Sequence, residues 1–226
     1  MDIQLNFLEK GQGEVLILLH GNGEDVSYFE HQIEYFSQFY RVIAIDTRGH
    51  GSSPRGTKPF TIVQFAEDLH GFMVLHNIKK AHILGFSDGG NIALTFAVKY
   101  PHMVDRLILN GANLYPDGVK FNVQIPIVAE YYRAKIAAPF SKKLHKKAEL
   151  YGLMVHQPQF EPAKLRALHI KTLVIAGRED MIRESHTRMI SRCLPNAQLA
   201  IIEGDHFIAN KMPDKFNSAV HSFLVK

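Results

Sequence analysis

The chain has one cysteine, Cys193, in 226 residues, so no intrachain disulfide can form. With Ile182, His186, Met189 and Ile190 it falls on the apolar face of an expected helix, which makes it a small core residue rather than a nucleophile. No apolar stretch approaches the ~20 residues needed to span a bilayer. The opening MDIQLNFLEKGQGE has no basic stretch followed by an apolar run, so no secretory signal is expected and the expected location is the cytoplasm. There are no internal repeats and no low-complexity linker. No Gly-rich phosphate loop and no histidine–carboxylate cluster with metal spacing occurs, so neither cofactor nor metal is expected. The net charge is only +4. The one dense basic run, Lys142-Lys143-Leu144-His145-Lys146-Lys147, reads as a solvated helix face with no nucleic-acid module around it.

What is present fits one globular domain. Hydrophobic residues make up 46% and charged residues 21%, a balance that excludes a disordered chain, and the length suits a single α/β domain spanning 1–226. Short apolar runs alternate with helical patterns, which predicts a mostly parallel twisted sheet of about eight strands flanked by helices. Ile3 to Leu8 and Val15 to Leu19, joined by Gly11-Gln12-Gly13, read as a hairpin. Val42–Ile45, Ala81–Phe86, Leu107–Leu109, Thr172–Ile175 and Leu199–Ile202 read as further strands. Helical stripes lie at Val26–Phe36, Ile62–Met73, Ile92–Ala97 and Phe216–Phe223.

One stretch breaks this rhythm. About 60 residues between Asn110 and Thr172 carry no strand pattern, too many for an ordinary connection. They predict a short helical insertion, about 113–162, placed to cover the carboxyl edge of the sheet, where open α/β sheets bind ligands. A short helix is expected over 127–136. A second should carry the stripe Phe140, Leu144, Ala148, Tyr151 and Val155, with Pro139 in its first turn. The aromatic residues of the insertion, among them Phe121, Tyr131, Tyr132 and Phe140, are placed either to line an apolar acyl pocket or to pack the insertion onto the domain.

The strand ends carry the chemistry. Gly85-Phe86-Ser87-Asp88-Gly89 has the pattern G-x-S-x-G, in which a sharp strand-to-helix turn holds a serine exposed. Its two glycines admit close backbone approach. The other strand ends read His20-Gly21-Asn22-Gly23, Asp46-Thr47-Arg48-Gly49-His50-Gly51-Ser52-Ser53, Gly177-Arg178-Glu179-Asp180 and Gly204-Asp205-His206-Phe207. A serine hydroxyl needs a base in reach to take its proton. Histidine fills that role because imidazole titrates near neutrality and can return the proton to a leaving group. A carboxylate on the other ring nitrogen fixes the tautomer.

Over essentially its whole length this set of motifs resembles the α/β-hydrolase superfamily, in its serine-nucleophile, esterase-like form with a small cap. The resemblance implies Ser87 as nucleophile, His206 as base and Asp180 as acid, in the order nucleophile, acid, base. Glu179 and Asp205 compete with Asp180 for the last role. It also implies an oxyanion hole from the backbone N–H groups of Asn22 and Asp88, with the Asp88 carboxylate turned away. His20, His50, Asp46 and Arg48 would structure loops. The implied function is acyl transfer to water from a small-molecule acyl substrate, most simply a carboxylic ester. The alternatives are a C–C bond hydrolase or lyase on the same fold, or a ligand receptor with little turnover. No nucleic-acid or membrane partner is expected, and the oligomeric state is not readable.

Overall fold

A computed structural model describes residues 2–226. Seven strands form one sheet: β1 (Phe7–Lys10), β2 (Val15–Leu19), β3 (Arg41–Ile45), β4 (Ala81–Phe86), β5 (Val104–Asn110), β6 (Lys171–Gly177) and β7 (Ala197–Ile202). Their order is β1-β3-β2-β4-β5-β6-β7. Every pairing is parallel except β1 with β3.

The expected hairpin does not form. β1 is shorter than the alternating run suggested, and it pairs with β3 rather than β2. β2 is taken on both sides by β3 and β4, and its last four residues are buried, so no edge is left for β1. Gly11, at φ +84°, packs instead against the backbone of Ser37 and Tyr40, which a Cβ would overlap.

The central strands are buried on both faces, as parallel strands under crossover helices must be. Alternate residues face opposite ways. Ile17, Leu19, Ile43, Ile83, Leu107 and Val174 join one core, under α2 (Ile62–Leu75), α3 (Asp88–Lys99) and α7 (Glu184–Cys193). Leu16, Leu18, Val42, Leu84, Ile108 and Leu173 join the other, under α1 (Glu30–Phe36) and α9 (Pro213–Leu224), which follows the one-turn α8 (Ile208–Lys211).

Between β5 and β6 lie α4 (Phe121–Ala137), α5 (Lys142–His156) and the short α6 (Pro162–Leu165). α4 begins six residues before the expected helix, with Pro126 inside it. α5 starts after Pro139, and Ser141 is its N-cap, accepting from Leu144 N. Phe140 therefore lies outside the helix and is 89% exposed. The insertion's root is stitched to the turn after β6: Lys120 N donates to Met181 O (2.8 Å) and Arg183 N to Gly118 O (2.9 Å).

The strand order places the site. After β2 the chain moves outward to β3, then returns to the far side of β2 for β4. Ligands of open α/β sheets bind at the carboxyl ends of strands flanking such a reversal. His20–Gly23 and Ser87 stand at that point.

Candidate active site

Ser87 sits between the last residue of β4 and the first of α3, at φ 53° and ψ −119°. A residue with a Cβ pays for that conformation, on the order of 1–3 kcal/mol. The neighbours enforce it. Ser87 N donates to Asn110 O (2.8 Å) and Ser87 O accepts from Asn91 N (3.1 Å). A Cβ on Gly85 would overlap the Gly89 carbonyl, and one on Gly89 would overlap the Leu19 and His20 carbonyls. The glycines thus let α3 start directly against the ends of β4 and β2.

Asp180 and His206 meet across two different turns. His206 Nδ1 lies 2.7 Å from Asp180 Oδ1, and both side chains are buried. The same oxygen accepts from Ile182 N (2.8 Å), which fixes the carboxylate's orientation. The rivals point elsewhere. Glu179 is exposed. Asp205 accepts from Phe207 N (2.9 Å) and pairs with Lys211.

The His206 ring packs on Phe86, the residue before Ser87, with centroids 4.8 Å apart. Gly111, which follows Asn110 at φ +62°, passes beneath it; a Cβ there would stand 2.7 Å from His206 Cε1 and 3.3 Å from Asp180 Oδ2. The ring is therefore held beside the serine turn. No hydrogen bond joins it to Ser87 Oγ among the described residues, an arrangement common in sites without substrate.

Asn22 and Asp88 are also neighbours. Burial pushes the Asp88 carboxyl up to about 6, against the opposing pull of the Asn91 and Asn22 amides. Asn91 Nδ2 donates to Asp88 Oδ1 (3.1 Å), so the carboxyl is tied back along its own helix. Neither the Asn22 nor the Asp88 backbone N–H donates to a protein acceptor among the described residues. The Asn22 side chain donates to Leu150 O (2.8 Å) of α5, and Arg55 binds Glu149 (2.5 Å) of the same helix. Two bonds thus pin α5 near this loop. A cavity of about 560 Å³ lies between α4, α5 and Phe60, lined by Tyr131, Ala148, Gly152 and His156, and it excludes Ser87 and His206.

The remaining motif residues hold loops. His20 Nδ1–H donates to Gly21 O (2.7 Å) and its Nε2 accepts from Thr47 N (3.0 Å). His50 is buried against Thr47 and the Arg48 carbonyl, and burial pushes it down to about 4. Asp46 accepts from Val26 N, Asn6 Nδ2 and Ser52 N, each at 2.8 Å. Arg48, wholly buried, is bidentate to Asp68 (2.7 Å to each oxygen) and also binds Asp2. His186, buried under the insertion's root, accepts from Leu114 N (2.9 Å).

Glu24 is the site residue that sequence reasoning missed. Its Oε2 accepts from Gly21 N (3.1 Å) within the loop that carries Asn22. Burial pushes its carboxyl up to about 7, against the pull of the Gly21 N–H and of His206. Its only signal was a carboxylate directly after Gly-Asn-Gly.

Comparison with known proteins bears on the fold and the family. The chain is 24% identical over 250 residues to 3-oxoadipate enol-lactonase 2 of Acinetobacter baylyi, covering 99% of this chain and 94% of that protein. It is 26% identical over 251 residues to the human serine hydrolase BPHL, covering 98% and 83%. Among solved structures, an enol-lactonase of Burkholderia xenovorans superposes with a TM-score of 0.83 at 20% identity, over 99% of this chain and 97% of that one. A meta-cleavage product hydrolase of Pseudomonas fluorescens gives 0.80 at 25% identity, over 98% and 94%. Residues 14–132 match the family model described as alpha/beta hydrolase fold, and the chain belongs to that family.

Proposed function

We propose that this α/β hydrolase is a serine hydrolase that cleaves small carboxylic esters through an acyl-enzyme. Ser87 Oγ attacks the carbonyl carbon while His206 Nε2 takes its proton and passes it to the departing alkoxide. The carbonyl oxygen, now an anion, accepts from the N–H groups of Asn22 and Asp88, with the start of α3 adding its dipole. Water then attacks the acyl-enzyme, giving its proton to His206, and the acid leaves as Ser87 is regenerated. Asp180 holds the imidazole and stabilises its cation.

The observation that carries this reading is the buried 2.7 Å pair of His206 and Asp180, set beside a serine held at φ 53°. The enol-lactonases among the relatives extend the class, since a lactone is a cyclic ester; the meta-cleavage product hydrolase keeps C–C bond cleavage as the second reading. Residues 1–226 would then act as one domain with 113–162 as its cap, in the cytoplasm.

The test is twofold. A fluorophosphonate should add one mass increment to the peptide containing Ser87, and p-nitrophenyl esters of short acyl chains should turn over, with Ser87→Ala as the blank. Labelling elsewhere with Ser87 untouched overturns the assignment.

A further inference from the structure

α4 has two apolar faces. Ile127, Tyr131 and Ala134 are buried against the protein. On the opposite side Phe121 (79% exposed), Ile125 (49%), Tyr132 (53%) and Ile136 (76%) stand in solvent, and Phe140 (89%) continues the line beyond the helix end. At 100° per residue these outward helix positions, with Ala129, fall within ~80° of arc, so they form one stripe. The aromatic residues of the insertion were expected either to line a pocket or to pack on the domain. Phe121, Tyr132 and Phe140 do neither. At 150–250 Å² for a whole aromatic side chain, the five large residues leave roughly 600 Å² of apolar surface outside, at the top of the range for a soluble monomer.

Charge says what covers it. Residues 120–147 hold seven lysines and arginines against one acid, Glu130, a net +6; the whole chain is +4, so the remainder is net negative by two. Arg133 and Lys147 both pair with Glu130. Lys135, Lys142, Lys143 and Lys146 are exposed and make no salt bridge among the described residues. Arg133 and Lys135 flank the stripe on its two sides, each ~80° from its centre. An apolar stripe with a cation on each side, followed by a helix that opens on exposed lysines, resembles the pattern of a segment that lies in the plane of an anionic interface.

A second copy fits less well. Pairing by this face would bring +6 against +6, and roughly 600 Å² per partner falls short of the ~800 Å² in a standard interface. No helix among the described residues is long and apolar enough to cross a membrane, so the contact is with a bilayer's surface.

We propose that α4 and the lysines after it dock the protein on a bilayer containing anionic phospholipid, with the stripe from Phe121 to Phe140 seated among the headgroups. α5, which carries those lysines, is bonded to the Asn22 loop through Leu150, so docking would hold the cap and the loop beside the Ser87 turn near acyl chains at the interface.

Sedimentation with vesicles of phosphatidylcholine alone, and of phosphatidylcholine mixed with phosphatidylglycerol, tests this at low and high salt. Binding is expected to the mixed vesicles at low salt and to fall steeply with salt. Lys142→Gln/Lys143→Gln should weaken it roughly fivefold per charge removed. Ile136→Ser/Phe140→Ser should abolish it while far-UV circular dichroism and thermal melting stay as in the parent, because both positions are exposed. Equal sedimentation with neutral and mixed vesicles, or none with either, overturns the proposal. A dimer in lipid-free sedimentation equilibrium that Ile136→Ser/Phe140→Ser dissolves overturns it in favour of a second copy.

Discussion

Glu24→Gln should stabilise the protein at alkaline pH and leave it nearly unchanged in acid. Burial holds the Glu24 carboxyl at about 7 against an ordinary 4.5, so ionising it costs more in the folded chain than in the unfolded one. For a carboxyl raised on folding, the favourable contribution is whole below the unfolded value and is lost as pH rises through the folded one. The window here runs from 4.5 to about 7. At about 1.4 kcal/mol per tenfold, the ceiling is ~3.4 kcal/mol. Glu24 is only part-buried, and solvent screening brings the expected effect to roughly 1–2 kcal/mol. Glutamine keeps an acceptor for the Gly21 N–H and carries no charge to bury. Other groups titrate nearby: Asp88, raised to about 6, loses stability in the same direction, while His50 and His186, pushed down to about 4, lose it as pH falls from 6.5. They are common to both proteins, so the difference between variant and parent isolates Glu24. Urea unfolding at about pH 5 and about pH 8 measures it. A stability gap that is the same at both pH values refutes the argument.

Three further outcomes follow from the same geometry. Asp180→Asn should lower kcat by on the order of 10³ or more with the fold retained, whereas Asp205→Asn, which keeps an acceptor for Phe207 N and loses only its charge toward Lys211, should change ester turnover little; the reverse ranking reassigns the acid. Ser87→Gly should remove activity and raise stability by about 1 kcal/mol, because glycine adopts φ 53° without strain; a lower melting temperature would show that the turn is not strained. Asp68→Ala should cost about 3 kcal/mol in chemical denaturation, since it leaves the wholly buried Arg48 with Asp2 as its one remaining carboxylate, and a loss below about 1 kcal/mol would contradict that.

The parts of the molecule legible from sequence are those where local chemistry and global position coincide. The run Ala81–Phe86 is buried at every residue, and Gly85 and Gly89 sit where any side chain would overlap backbone, so strand, turn and helix were all written in one short stretch. The turn after β6 is similar, since all of β6 but Lys171 is buried and a Cβ on Gly177 would overlap the Asp205 and Gly204 carbonyls. Partner choice between strands was not legible. Ile3–Leu8 has the alternation of a strand, but its neighbour is decided by which edge is open, and β2 had none. The start of α4 was hidden by Pro126, which argues against a helix through it. The preceding turn tolerates it because the Asn122 side of the helix is exposed and its carbonyl can be hydrated. Nor could periodicity tell which way Phe121, Tyr132 and Phe140 face, because α4 has apolar residues on both sides.

Several local costs gather at the carboxyl edge of the sheet. Asp88 Oδ2, Asn110 Oδ1 and Asp180 Oδ2 are buried without a protein partner among the described residues. Ser87 holds a backbone conformation that disfavours a side chain, and Glu24 carries a carboxyl that resists ionisation. Each lies on or beside one of four strand ends, although Gln32, His82 and Thr187 hold unpartnered buried atoms elsewhere among the described residues and Asn77 shares the positive φ of Ser87. A protein that needed only to fold would gain from relieving them, since Ser87→Gly and Glu24→Gln are single substitutions. Such costs persist where the surrounding structure enforces them and the arrangement is used. Here the enforcing structure is the set of close backbone approaches at Gly85, Gly89 and Gly111. Those approaches hold Ser87 and His206 in the geometry that the proposed acyl transfer would use.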